Sequence, residues 1–307
     1  MAVILLYVDD IIMTCSSPTL SDHIVNFLMQ IYPVKNLGSL HCFLGIKATF
    51  QNNSQQLLLT QKKYTLQLLQ KYDLLNYKSS KTPITKGTRL SISTGVLLSD
   101  ATEYRRMVGA LQYLTMTRPD ICFSVNYVAQ FMQSPTDEHL FLVKRILRYL
   151  KGIVGTGVLL FAGDISSISA YSDSNWEGCP DTKRSTSGMC VFLGSSLVSW
   201  SSKKHPTISK HNTSLWILLQ QRCPATNPVF HARTKHIEID YHFIRELVSS
   251  GFPQVSYVSS ANQIADLFTK GLVLCVFLSL AGKLLYLHQY QLEWGCKDSE
   301  MSESCYV

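Results

Sequence analysis

The sequence predicts a mixed α+β or α/β fold, and three observations carry that expectation. Short apolar runs separated by turn residues open the chain, the middle third repeats apolar residues every three or four positions, and a second strand-rich stretch begins near Ser166. With 307 residues and 46% hydrophobic content, the chain has material for two or three modest domains with their own cores. Such a composition excludes a disordered protein. Lysine and arginine (28) exceed aspartate and glutamate (21), and the resulting formal charge of +7 favours a polyanionic partner.

The opening stretch "MAVILLYVDDIIMT" reads as two strands turning through Asp9 and Asp10. Aspartate tolerates turn conformations that its β-branched neighbours resist. Two readings of the pair stand. One is a simple hairpin tip, although a turn needs only one such residue and adjacent carboxylates repel. The other is a divalent-metal site, since Mg²⁺ is held through carboxylates and substrate phosphates.

Next comes "PTLSDHIVNFLMQIYPVKNLG", with Ile24, Phe27, Leu28 and Ile31 on one helical stripe stopped by Pro33 and Gly38. "HCFLGIKATF" reads as a strand. From Gln56, a short strand leads into a helix whose Tyr64, Leu68, Leu69 and Tyr72 share a face. The polar stretch from Lys78 to Gly95, with Pro83, reads as a linker.

Three helices follow. Their stripes are Met107, Leu111 and Leu114; then Ile121, Val125, Val128 and Met132; then a helix ending at Gly152. On this third helix Lys144, Arg145, Arg148 and Lys151 fall on one side. They are candidates for gripping a phosphate backbone, with a solvated basic face as the equally weighted alternative.

The stretches "SISAYSDSNW", "SGMCVFLG" and "LVSWSS" read as three consecutive strands. Further on, "HIEIDYHFIRELVSSG" reads as a helix and "QVSYV" as a strand. "SANQIADLFTKG" reads as a last helix, with Ser260 and Gln263 in capping-box spacing. The apolar run from Leu272 to Gly282 is well short of the ~20 residues that a membrane span needs, so it is expected to be a buried or poorly packed tail.

The nine cysteines are scattered with no C-x-x-C pair, which points to reduced, mostly buried thiols rather than zinc or a redox motif. The first six residues are too few for the core of a signal peptide. A cytoplasmic or nuclear protein that is neither secreted nor membrane-bound is the expectation.

Several blocks, taken together and in order, are informative beyond their individual patterns. These are "YVDDII", "FLGIK", "YRRMVGALQYLTMTRPDICFSVN", "KRILRYLKG", "AYSDSNWEGCPDTKRSTSGMCVFLG", "VSWSSKK", "NPVFHARTKHIEIDYHFIRE" and "ANQIADLFTKGL". Over almost the whole chain to about Leu285, the sequence resembles the carboxy-terminal half of the polyprotein of plant copia-type retrotransposons. The resemblance implies a reverse transcriptase followed by a ribonuclease H domain. Asp9 and Asp10 then match the paired aspartates of the polymerase palm, which hold Mg²⁺, and Phe43, Leu44 and Gly45 fall where the family positions its primer. Asp173 matches the first acid of ribonuclease H and Asp266 the last.

The implied domains are a palm remnant (1–55), a thumb-like segment and linker (56–95), a helical connection (96–165), a ribonuclease H-like unit (166–271) and a tail (272–307). The implied partners are an RNA/DNA hybrid or single-stranded nucleic acid.

The chain departs from this family in two places. Two-metal phosphoryl transfer needs acids from separate strands, and upstream of Asp9 only an apolar stretch is found. Between Asp181 and Glu238 there is not one Asp or Glu, while Lys183, Arg184, Lys203, Lys204, Lys210, Arg222, Arg233 and Lys235 fall in that interval. An internal deletion near residues 211–226 accounts for the loss of helix, central strand and two acids together. Glu238, Asp240 and Glu246 are poor substitutes, because Glu238 and Asp240 point to different sides of a helix. His231 and His236 lack a third ligand at zinc spacing. The expectation is an inactive remnant, with a nucleic-acid-binding module or an enzyme completed by a separate amino-terminal chain as alternatives.

Overall fold

The computed structural model describes residues 1–8, 10–163, 165–205 and 256–286. Strands β1 (Ala2–Tyr7) and β2 (Asp10–Cys15) form an antiparallel hairpin from Ala2↔Cys15 to Tyr7↔Asp10. At its tip Val8 takes a positive φ of 48°. Helix α1 (Pro18–Ile31) follows directly, because Ser17 caps the Leu20 amide and Pro18 occupies the first helical turn, where its missing N–H is harmless. None of its residues is buried. Val3 and Leu5 on one face of β1 and Leu6 on the other are 51%, 54% and 67% exposed, so the opening hairpin leaves apolar side chains uncovered on both faces.

A four-stranded antiparallel sheet comes next, ordered β3 (Cys42–Phe43), β4 (Ile46–Gln51), β5 (Gln56–Thr60) and β6 (Val158–Phe161). The predicted single strand over residues 41–50 is therefore two strands. Leu44 (φ 47°) and Gly45 (φ 70°) turn the chain between them, a conformation that glycine adopts without a Cβ penalty. Helix α2 (Lys62–Lys71) buries Thr65, Leu68 and Leu69.

The core is built by α3 (Thr102–Leu114), α4 (Cys122–Ala129) and α5 (Asp137–Gly152). Helix α3 buries Tyr104, Met107, Val108, Leu111 and Leu114, the expected stripe widened by two residues. Each such large side chain removed from water contributes roughly 1.5–3 kcal/mol before ordering entropy is subtracted. Thr136 caps α5 by accepting from the His139 amide, and the His139 ring, stacked on Phe131 at 3.8 Å, engages the Thr136 amide in return. Burial pulls His139 below its usual pKa.

A buried ionic triad ties the helices together. Arg118 donates to Asp120 through Nε (2.9 Å) and Nη2 (2.6 Å), and the Tyr149 hydroxyl from α5 donates to the same carboxylate at 2.6 Å. The segment read as a linker is stitched to this unit. Leu90 N donates to the Tyr127 hydroxyl of α4 at 2.7 Å and, just past the segment, Val96 N donates to Asp137 of α5 at 2.8 Å, while Ile92 N reaches Asp181, outside the helices, at 3.0 Å.

The last sheet is an antiparallel meander of β7 (Ile168–Asn175), β8 (Thr186–Leu193) and β9 (Ser196–Lys204), as the strand pattern predicts. It packs on the helical unit. Trp200 Nε1 donates to the Thr115 carbonyl at 3.0 Å, and Cys190 and Leu197 join the shared core.

The expected last helix over 260–271 is instead two short 3₁₀ segments, Ser260–Asn262 and Ile264–Phe268. Between them Gln263 is extended (φ −75°, ψ 92°), and its side chain caps the Ala265 amide rather than completing a capping box with Ser260. Ser256–Val258, part of the expected strand, have no regular structure, while Gln254, Val255 and the expected helix over 236–251 lie outside the described residues.

The apolar run after Leu272 is core, not loose tail. Helix α6 (Leu274–Ala281) buries Phe277 against Tyr149, with Leu280, Leu284 and Leu285 beside it. Among the described residues no helix is long and apolar enough to cross a membrane. All six described cysteines are free. Two are buried, three half-buried and one exposed, so fewer are buried than expected.

Candidate functional site

Of the four candidate acids, the structure brings two together. Asp173 sits on β7 directly opposite Gly188 of β8. Asp266 sits in the 3₁₀ segment Ile264–Phe268, which lies against both strands. The approach is close because Gly188 has no side chain, since a Cβ there would lie 2.4 Å from Phe268 Cβ and 3.0 Å from the Phe268 carbonyl carbon. Further bonds fasten the segment at either end. Gln263 Nε2 donates to the Ser172 carbonyl and Asn175 Nδ2 to that of Thr269, each at 3.4 Å.

Two residues that the sequence reading did not single out complete the cluster. Lys270 Nζ lies 3.0 Å from Asp266 Oδ1 and 3.5 Å from Asp173 Oδ2. The Thr269 hydroxyl donates to Asp173 Oδ2. Burial lifts the Asp266 carboxyl to about 6, with Lys270 opposing and neighbouring Asp173 adding to the rise. Burial acts to pull the Lys270 ammonium down, and the two carboxylates outweigh it, so its pKa is raised. Spacing held the signal for Lys270, because Asp266 and Lys270 stand four apart and such pairs meet on one helical face.

Asp10, the described member of the other pair, lies in a different sheet from Asp173. Asp9 lies outside the described residues, and Asp10 is exposed at the start of β2 in the separate two-stranded sheet. Glu238, Asp240, Glu246, His231, His236 and the junction near 211–226 also lie outside the described residues. Among the described residues, no three His, Cys, Asp or Glu side chains converge on one point.

The basic face of α5 is largely engaged by protein. Arg145 Nη2 donates to Thr82 Oγ1 at 3.0 Å, Arg148 Nε to the Lys78 carbonyl at 2.7 Å, and Lys151 Nζ to the Tyr77 carbonyl. Lys144 is exposed. Three of the four cations thus hold residues 77–82 against the helix.

With three antiparallel sheets and a central helical unit, the structure is a mixed α+β fold compatible with a partial reverse transcriptase. A family model described as reverse transcriptase (RNA-dependent DNA polymerase) matches residues 1–86. The retrovirus-related Pol polyprotein from transposon RE1 of Arabidopsis thaliana is 42% identical over 313 residues, covering 91% of this chain and 21% of that protein. The corresponding polyprotein from transposon TNT 1-94 of Nicotiana tabacum is 29% identical over 309 residues, 87% of this chain and 23% of that protein. An uncharacterised mitochondrial protein of Arabidopsis thaliana is 42% identical over 210 residues, 68% of this chain and 86% of that protein. No solved structure matches significantly.

The chain belongs to the reverse-transcriptase family of copia-type transposon Pol polyproteins. It spans about a fifth of the length of the first polyproteins it matches, 21% in each case.

Proposed function

We propose that this chain is a catalytically inert remnant of a copia-type reverse transcriptase and ribonuclease H. In this reading 1–55 is a palm remnant, 56–95 a thumb-like segment and linker, 96–165 a helical connection, 166–271 a ribonuclease H-like unit and 272–307 its tail. Its ancestral substrates are an RNA/DNA hybrid and single-stranded nucleic acid, in keeping with the net charge of +7. The observation that carries the proposal is the cluster of Asp173, Asp266 and Lys270, which among the described residues has two acids and one ammonium where two-metal chemistry requires a ring of acids.

Mg²⁺ is the ion that the resemblance implies, and the described residues do not fit it. Mg²⁺ demands near-octahedral oxygen coordination at about 2.0–2.1 Å. Here one oxygen of each carboxylate faces the Lys270 ammonium, and Asp173 Oδ2 also accepts from Thr269. No catalytic step through a metal is therefore assigned.

Purified protein incubated with an RNA/DNA hybrid and with a primed template, in Mg²⁺ or Mn²⁺, is expected to give neither cleavage nor extension. Turnover abolished by Asp173→Asn or Asp10→Asn would overturn the proposal.

A second reading has its own support. The exposed apolar side chains of β1 suit a covering polypeptide, as an enzyme completed by a separate amino-terminal chain requires. Extension activity appearing only on mixing with such a chain, and lost in Asp10→Asn, would favour it.

A further inference from the structure

We infer that Lys270 is the resident cation of the Asp173–Asp266 pair and that its ammonium group keeps divalent metal off those carboxylates. This rests on reading the pair as the surviving part of a ribonuclease H-like site. The proposed inertness follows from the small number of acids that converge among the described residues, whereas Lys270 is the group that stands between the two that do meet.

The geometry is that of a bridge. A single Nζ lies 3.0 Å from Asp266 Oδ1 and 3.5 Å from Asp173 Oδ2, so one positive charge is shared between carboxylates that belong to different elements. Those carboxylates are only 9% and 21% exposed, and they retain little water with which to screen each other. Left alone they would repel and pry the 3₁₀ segment from β7.

Lys270 supplies the opposing charge from just beyond the 3₁₀ segment. Its backbone N–H donates to the Asp266 carbonyl at 3.3 Å, as does that of Thr269, so the stem of the side chain starts from a tethered turn. Thr269, fully buried, gives its hydroxyl to Asp173 and consumes a further coordination position on Oδ2, the oxygen of Asp173 that faces the ammonium.

A divalent ion entering between the carboxylates would stand beside a fixed positive charge and find one oxygen of each carboxylate already engaged. Metal and ammonium are alternatives for one position. The clasp therefore joins β7 to the 3₁₀ segment without any ion, and this part of the fold is metal-independent.

The test is a Mn²⁺ titration of the full chain, read by electron paramagnetic resonance of free ion, for the parent, Lys270→Ala and Lys270→Ala combined with Asp173→Asn. Removing the ammonium is expected to tighten Mn²⁺ binding at least about tenfold, the scale set by one unit charge a few ångströms away, and adding Asp173→Asn is expected to abolish the gain. Lys270→Met keeps the stem without the charge and is read in the same way if the alanine variant does not fold.

Lys270→Ala or Lys270→Met protein that folds and binds Mn²⁺ no tighter than the parent would overturn the inference, as would a gain that survives the addition of Asp173→Asn. Cleavage of a hybrid by the parent would instead overturn the proposal of inertness, so the two failures are distinguishable.

Discussion

Replacing Asp120 by Ala is expected to destabilise the chain by about 3–5 kcal/mol, a large share of the roughly 5–15 kcal/mol that holds an ordinary domain together. The reason is what the substitution leaves behind. Arg118 is 2% exposed, and its two donors to Asp120 would lose their acceptor while the guanidinium stays charged. Its hydrogen bond to the Ile153 carbonyl is long at 3.4 Å. The Tyr149 hydroxyl, 2.6 Å from the same carboxylate, would be orphaned too.

Tyr149→Phe removes a single donor and should lower stability by only about 1 kcal/mol. Urea unfolding followed by circular dichroism separates the two. A midpoint for Asp120→Ala within error of that for Tyr149→Phe would show that the buried pair is not what secures the helices.

The second large effect is expected at Gly188. Adding one methyl group there, in Gly188→Ala, places a Cβ 2.4 Å from Phe268 Cβ, 2.9 Å from Thr269 Cγ2 and 3.0 Å from the Phe268 backbone. The obstruction includes main chain, so relief requires the 3₁₀ segment to move away from β8. Overpacking of this sort costs about 1–3 kcal/mol. It should also withdraw Asp266 and Lys270 from Asp173, which stays on β7 opposite the substituted residue. Amide hydrogen exchange across Ala265–Thr269 is expected to accelerate in this variant more than exchange in α3 or α5. Parental stability with unchanged protection at those amides would contradict the packing described here.

These sites were unequally legible in the sequence. Repetition made the helical core readable: Met107, Leu111 and Leu114 announce α3, and the face is simply wider, taking in Tyr104 and Val108. The three strands over 166–204 were equally plain, because apolar and turn residues alternate there. Asp173 and Asp266, 93 positions apart by subtraction of their numbers, were named together only through the family resemblance. Their proximity in the structure depends on a strand and a turn that no local pattern connects.

The triad escaped notice for a related reason. Arg118 and Asp120 stand two apart, a spacing that does not bring side chains together on an α-helix, and a 3₁₀ turn, Pro119–Ile121, joins them instead. The last helix was misjudged because Ser260 and Gln263 have the right identity and spacing for a capping box, yet Gln263 spends its side chain on Ala265. The basic face of α5 was visible as a cluster, but its partners include the carbonyls of Tyr77 and Lys78. Backbone acceptors leave no mark in a sequence.

The central claim is that one ammonium and two carboxylates stand where a metal-dependent nuclease holds ions. Anomalous scattering from crystals grown in Mn²⁺ addresses it directly. The account predicts no manganese peak at Asp173 and Asp266, with the Lys270 nitrogen between them. A manganese peak bound by both carboxylates, with a third acidic side chain turned toward it, would contradict the account.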